Sequence, residues 1–184
     1  MESDIICLTE TQLSPAQNID DITAHLNNFD LIRNDSDDKF QSIAMCYRDT
    51  TRILDSFNSP GVSLIKVIKN EFSKNPINIL LIYRKQSWSL PSFYDALTDL
   101  ITTNNIHVIL GDFNINAFTD MHLSRLLANF KLIVDSPTHL SGSLLDHVYV
   151  SNNYLQEIEV TAIIKNVYFS DHDAIKFRIF AKKT

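Results

Sequence analysis

What most constrains this chain is a set of eight short runs rich in Ile, Leu and Val, each of strand length. They occupy 4–10, 41–48, 62–68, 77–84, 107–114, 147–151, 157–164 and 173–181, and Asn, Asp, Ser, Gly or Pro bounds them. Helical patterns lie between some of these runs. Ser14-Pro15 offers an N-cap and a first-turn proline ahead of Ile19, Ile22 and Leu26 at helical spacing. Residues 90–104 carry Phe93, Leu97, Leu100 and Ile101 on one stripe, and 120–130 carry Leu123, Leu126, Leu127 and Phe130. Runs with no helix between them, 41–48 with 62–68 and 147–151 with 157–164 and 173–181, predict antiparallel neighbours. Helices between the others predict cross-connections over outer faces. That mixture suits an α/β fold of two packed sheets with helices outside.

Composition bounds the rest. At 184 residues the chain fits one domain, 1–184, long enough to bury a core without disulfides or structural metal. No internal repeat, low-complexity tract or linker interrupts it, and 34–39 reads as a solvated loop. The longest apolar runs, such as 77–83, are far too short to span a bilayer, so no membrane is expected. No N-terminal stretch pairs a basic start with an apolar segment, which predicts an intracellular protein, compatible with the nucleus. Cys7 and Cys46 sit in strand-like runs and read as small buried hydrophobes in a reduced compartment. The net charge of −6 counts against a module that binds nucleic acid by counterion release alone. It counts less against an enzyme whose carboxylates hold cations.

Four polar clusters stand at strand ends, and each has an ordinary reading beside a chemical one. In Leu8-Thr9-Glu10-Thr11 alternation puts Ile6, Leu8 and Glu10 on one face, although Glu10 equally suits the first solvated residue of a loop. In Gly111-Asp112-Phe113-Asn114 period two puts Asp112 and Asn114 side by side, while Gly, Asp and Asn are also what turns prefer. Ser170-Asp171-His172-Asp173 needs a turn before Asp and His can face one site, and otherwise initiates a strand. Ser143-Leu144-Leu145-Asp146-His147 brings Asp146 into a strand, again an ordinary loop boundary. Together these clusters gather carboxylates, an amide and an imidazole where a sandwich can bring them to one edge. Such a set suits phosphodiester cleavage: oxygen ligands for Mg²⁺, a base for water, and donors for the developing charge.

In their order, TE, GDFN, LDH and SDH resemble the motifs of the endonuclease/exonuclease/phosphatase superfamily over nearly the whole chain. The stretch SPTHLSGSLLDHVYVS is similar in particular to endonuclease domains of mobile elements, those of non-LTR retrotransposons and Helitron-type proteins. The resemblance implies a four-layer α-β-β-α sandwich of two mixed, mostly antiparallel sheets, like pancreatic deoxyribonuclease. It implies a Mg²⁺-dependent DNA endonuclease, with Mn²⁺ able to substitute and with other domains of a mobile-element polyprotein as partners. Glu10 would bind the metal, and Asp112 would orient or deprotonate the attacking water. Asn114 would contact the scissile phosphate, and Tyr83, in Ile-Tyr-Arg at its strand end, would position it. Asp171 would be a second acidic group at the metal and water. His172 would bind the phosphate oxygen, oriented by Asp146, and Thr138 and Ser170 would neighbour the phosphate. Family members begin with a strand ending in a metal-shell asparagine. This sequence starts at the following strand, so an N-terminally truncated domain with impaired activity is expected.

Two other functions fit the same residues. One is a phosphoesterase acting on a lipid or inositol phosphate, since a fold does not settle its substrate. The other is a non-catalytic remnant that serves as a binding module.

Overall fold

The computed structural model describes residues 3–18, 21, 24, 28–35, 42–59, 62–69 and 76–182. Its strands are β1 (Ile5–Leu8), β2 (Phe29–Asn34), β3 (Ile43–Arg48), β4 (Thr51–Ser59), β5 (Val62–Lys69), β6 (Ile77–Tyr83), β7 (Val108–Asp112), β8 (Phe130–Leu132), β9 (Asp146–Ser151), β10 (Ile158–Lys165) and β11 (Ala174–Ala181). Helices α1 (Leu90–Thr103) and α2 (Met121–Leu126) separate β6 from β7 and β7 from β8. Among the described residues the strands form a six-stranded sheet of order β4-β5-β6-β7-β9-β8, a three-stranded sheet β1-β3-β2 and a β10-β11 pair.

The central strands of the large sheet are apolar on both faces, because each face packs against something. Leu80, Ile82, Ile109 and Tyr149 face Phe93, Tyr94 and Leu97 of α1 and Leu123 of α2. Ile77, Ile79, Leu81, Tyr83, Val108 and Val150 point the other way. There they meet Ile43 and Met45 of β3, Ile5 and Cys7 of β1, and Val160, Phe177 and Ile179 of β10 and β11. The two smaller sheets thus cover one face of the large sheet and the helices cover the other, giving a layered α/β sandwich. Cys7 and Cys46 are free thiols on the adjacent strands β1 and β3. No helix among the described residues is long and apolar enough to cross a membrane.

Helix α1 falls where its apolar stripe predicts. Ser89 caps it by accepting from the Ser92 N–H at 3.3 Å, and a proline occupies its first turn. Helix α2 stops at Leu126, well short of 130, with Asp120 as its cap. The helix expected around Ile19, Ile22 and Leu26 lies outside the described residues, as do residues 36–39 of the expected loop.

Two expected pairings do not form. Strand β3 pairs with β1 and β2 in the smaller sheet, and the antiparallel partners of β5 are instead β4 and β6. Strand β4 was illegible because its sequence, TRILDSFNS, is largely polar, as an edge strand with exposed faces can be. Strand β9 pairs with β7 and β8 rather than with β10, while β10 and β11 pair antiparallel as expected.

Candidate active site

Register builds the centre of the site. In the parallel β6–β7 pair Tyr83 stands opposite Asp112, and in the antiparallel β7–β9 pair Asp112 stands opposite Asp146. One row across three adjacent strand ends therefore carries a phenol and two carboxylates, all on the face turned toward the smaller sheets. Gly111 makes the close strand approach possible. Its φ is +130°, and a Cβ there would lie 1.9 Å from the Ile82 carbonyl oxygen.

Residues from the smaller sheets reach this row. Strand β1 ends at Leu8, and Glu10 follows with φ +50°; its Oε1 accepts a hydrogen bond from the Tyr83 hydroxyl. From the turn before β11, His172 donates from Nδ1 to Asp146 Oδ2 at 2.8 Å. That hydrogen bond, strengthened by the charge of Asp146, raises the imidazolium pKa to about 9 against the cost of burial. His172 is accordingly a cation at neutral pH. Asp112 is 3% exposed, and burial, helped by the neighbouring charge of Asp146, pushes its carboxyl up to about 7.

Asn114 joins Asp112 by a different route from strand alternation. Strand β7 ends at Asp112, and Asn114 lies in a turn with φ +48°. Its backbone N–H donates to Asp112 Oδ1 at 2.8 Å and its side-chain amide to Oδ2 at 3.3 Å. GDFN is thus a turn, and the turn itself, not strand alternation, brings Asn114 beside Asp112. Arg84 holds the turn in place. Buried, it donates to the carbonyls of Phe113 at 2.8 Å, Trp88 at 2.6 Å and Asn114 at 2.8 Å. Sequence reasoning used Arg84 only as part of a motif, because a bracing cation and a surface one look alike in sequence.

The remaining expected residues divide. Asp171 is exposed, with its carboxyl lowered by hydrogen bonds from its own backbone and from His139. The Ser170 hydroxyl accepts from the His172 N–H at 3.0 Å, shaping the turn. Thr138 is fully buried and does not open onto the site. Its hydroxyl accepts from the N–H groups of Leu145 at 3.1 Å and Asp146 at 3.0 Å, so it fixes the start of β9. His139 escaped the sequence reading altogether. It bridges to His172, packs edge-on against that ring at 4.8 Å, and lies 3.3 Å from Asp171. The signal was its place in THLSG, between the threonine and the turn, but spacing alone gave it no partner.

His147, next to Asp146, points to the opposite face and stacks on Phe113. Its Nε2 lies 2.9 Å from the Ile115 carbonyl and 3.0 Å from that of Leu144, and burial lowers its pKa to about 4. The unfolded state therefore binds a proton that the folded state refuses. Stability contributed by the neutral ring is complete above about pH 6.5 and is lost progressively as pH falls toward 4, by roughly 3 kcal/mol in all. A His147→Gln variant should flatten that acid limb in denaturant titrations taken from pH 7 to pH 4. An unchanged slope would show that His147 does not carry the acid sensitivity.

Two groups of ligand atoms lie close enough to share one cation: Asp112, Asp146 and His172, and His139, Asp171 and His172. Glu10 is in neither group and reaches the row through Tyr83. The second group supplies one carboxylate and two imidazoles and the first two carboxylates and one imidazole. In the first, burial and then the Asp146 charge hold the Asp112 carboxyl up, and a bound cation would favour its ionised form. A hard divalent cation fits that chemistry.

A large sheet covered on one face by two smaller ones and on the other by helices, with carboxylates and an imidazole gathered at the strand ends between them, matches a pancreatic-deoxyribonuclease-like fold. Residues 2–172 match the model of the Endonuclease/Exonuclease/phosphatase family, and the chain belongs to that family. Among solved structures, the endonuclease domain of TRAS1, a telomere-specific non-LTR retrotransposon, superposes with a TM-score of 0.75 at 12% identity. That match covers 98% of this chain and 87% of that one. The human Nocturnin catalytic domain gives 0.65 at 14% identity, covering 95% and 81%. The Xenopus laevis APE2 catalytic domain gives 0.63 at 15%, covering 100% and 86%. No curated protein matches this sequence.

Proposed function

We propose that this chain is a metal-dependent DNA endonuclease, the nicking domain of a mobile element, acting as one domain. The observation that carries the proposal is the row Tyr83–Asp112–Asp146, completed by Glu10 and His172 from the facing sheets. A buried carboxyl with a pKa near 7 is a water-activating base matched to neutral pH, and Asp112 takes that role. Asn114 holds Asp112 through two hydrogen bonds and is assigned to contact the scissile phosphate. His172, charged and with Nδ1 committed to Asp146, turns Nε2 to the non-bridging phosphate oxygens and stabilises their developing charge. Tyr83, whose hydroxyl donates to Glu10, positions the phosphate from the other side. Glu10 and Asp171 are assigned to hold Mg²⁺, or Mn²⁺ in its place, which when bound supplies positive charge to the phosphate.

The likeness to a retrotransposon endonuclease supports DNA as substrate over a lipid or inositol phosphate. A supercoiled plasmid should be nicked in millimolar Mg²⁺, with the activity lost on chelation and restored by Mg²⁺ or Mn²⁺. Full nicking after exhaustive metal removal would refute the cation requirement. Turnover of inositol phosphates with an intact plasmid would move the function to the phosphoesterase reading.

A further inference from the structure

The β10–β11 hairpin carries a feature that the proposed chemistry does not use. Its base is closed by the Lys165↔Ala174 pair and by a hydrogen bond from the Asn166 amide to Asp173 Oδ1 at 2.9 Å. Between these anchors Asp171 and His172 form the arm that enters the site. The tip just before them is Tyr168-Phe169, with Tyr168 97% and Phe169 79% exposed. Among the described residues the aromatic contact of each ring is with the other, edge-on at 5.6 Å. Leu140, 77% exposed, lies on the neighbouring turn, where its N–H donates to the Asp171 carbonyl at 3.0 Å. An apolar rim therefore borders the mouth of a site built for a charged phosphate.

Rings this exposed contribute little to the core, and their position limits what covers them. Tyr168 is four residues from His172, at most about 14 Å along an extended chain. That spans one or two nucleotides from a phosphate held at His172. The chain carries a net charge of −6, so counterion release is a weak source of affinity for a polyanion. Base stacking on aromatic rings is a source that needs no positive charge. A membrane is the poorer fit. Only two rings form the tip, and seating them in a bilayer would draw the exposed Asp171 into the headgroups without a basic belt to favour it.

We propose that the Tyr168–Phe169 tip is a stacking platform that seats an unstacked nucleobase beside the scissile phosphate, which makes single-stranded or locally melted nucleic acid the preferred substrate. The proposal rests on the phosphodiesterase reading for its location, but its test reads binding separately from cleavage. Anisotropy of a labelled single-stranded oligonucleotide, in chelator, would be compared for the unaltered protein, Tyr168→Ala/Phe169→Ala and Phe169→Trp. A second oligonucleotide would carry abasic spacers throughout, and cleavage of both would be followed in Mg²⁺.

The double-alanine protein should bind the base-bearing strand about tenfold more weakly, within the range that removing one stacked base produces. Phe169→Trp should bind at least as tightly as the unaltered protein, and all three should bind the abasic strand alike. The melting temperature should move little, since both rings are mostly exposed. Ring-dependent binding without any cleavage would support the platform while refuting the catalytic reading. Equal weakening on both oligonucleotides, or no weakening on either, would overturn the platform. Ring-dependent binding to phosphatidylcholine vesicles, with oligonucleotide binding unchanged, would overturn it in favour of a membrane.

Discussion

Replacing Asp112 with Asn should lower nicking turnover by about three orders of magnitude or more while leaving the fold intact or more stable. An amide of the same shape keeps the neighbouring Asn114 turn but cannot accept the proton of water at neutral pH. The stability effect has the opposite sign for a definite reason. The folded-state pKa of Asp112, about 7, lies above the ordinary carboxylate value. The unfolded chain therefore releases its proton first, and the ionised side chain costs increasing stability as pH rises from about 4 to about 7. Removing that buried charge should raise the stability of metal-free protein at pH 8 by order 1–3 kcal/mol. Thermal midpoints of the two proteins at pH 4 and pH 8 would check this. A stability gain at pH 4 equal to that at pH 8 would mean that the charge of Asp112 is not its source.

The second large effect is a non-additive one. His172→Ala removes the imidazolium, and Asp146→Ala removes the hydrogen bond that orients the imidazolium and keeps it charged. Each substitution alone should cost about a hundredfold or more in kcat, and the double variant should be little worse than His172→Ala. Asp146→Ala should also bring the His172 titration, followed by NMR, down from about 9 toward the ordinary histidine range. Additive losses in kcat would show two residues acting separately.

Much of this site is legible in the sequence because it lies at strand ends, where a strand's apolar pattern stops and a polar residue stands out. Glu10, Asp112, Asp146 and His172 are all of this kind. The residues that support them were hidden for physical reasons. Arg84 follows the buried β6, yet its guanidinium turns inward to backbone carbonyls that no spacing rule connects. Thr138 bears a hydroxyl typical of a phosphate contact, but the start of β9 consumes it as an acceptor. In the fold, α1 and the buried β6 and β7 were clear from their periodicity. Strand β4 was not, because an exposed edge strand needs no apolar alternation, and overlooking it misassigned the partner of β5. Pairing between distant strands is set by packing across the sandwich, which local pattern does not encode.

The most direct test of a water-activating phosphodiesterase centre is cleavage of an oligonucleotide in ¹⁸O-labelled water with Mg²⁺, followed by mass spectrometry of the products. Hydrolysis at this site predicts one ¹⁸O in the terminal phosphate of each cleaved strand, and no cleavage by Asp112→Asn purified in parallel. Cleavage that leaves the phosphate unlabelled, or equal labelled cleavage by Asp112→Asn, would contradict it.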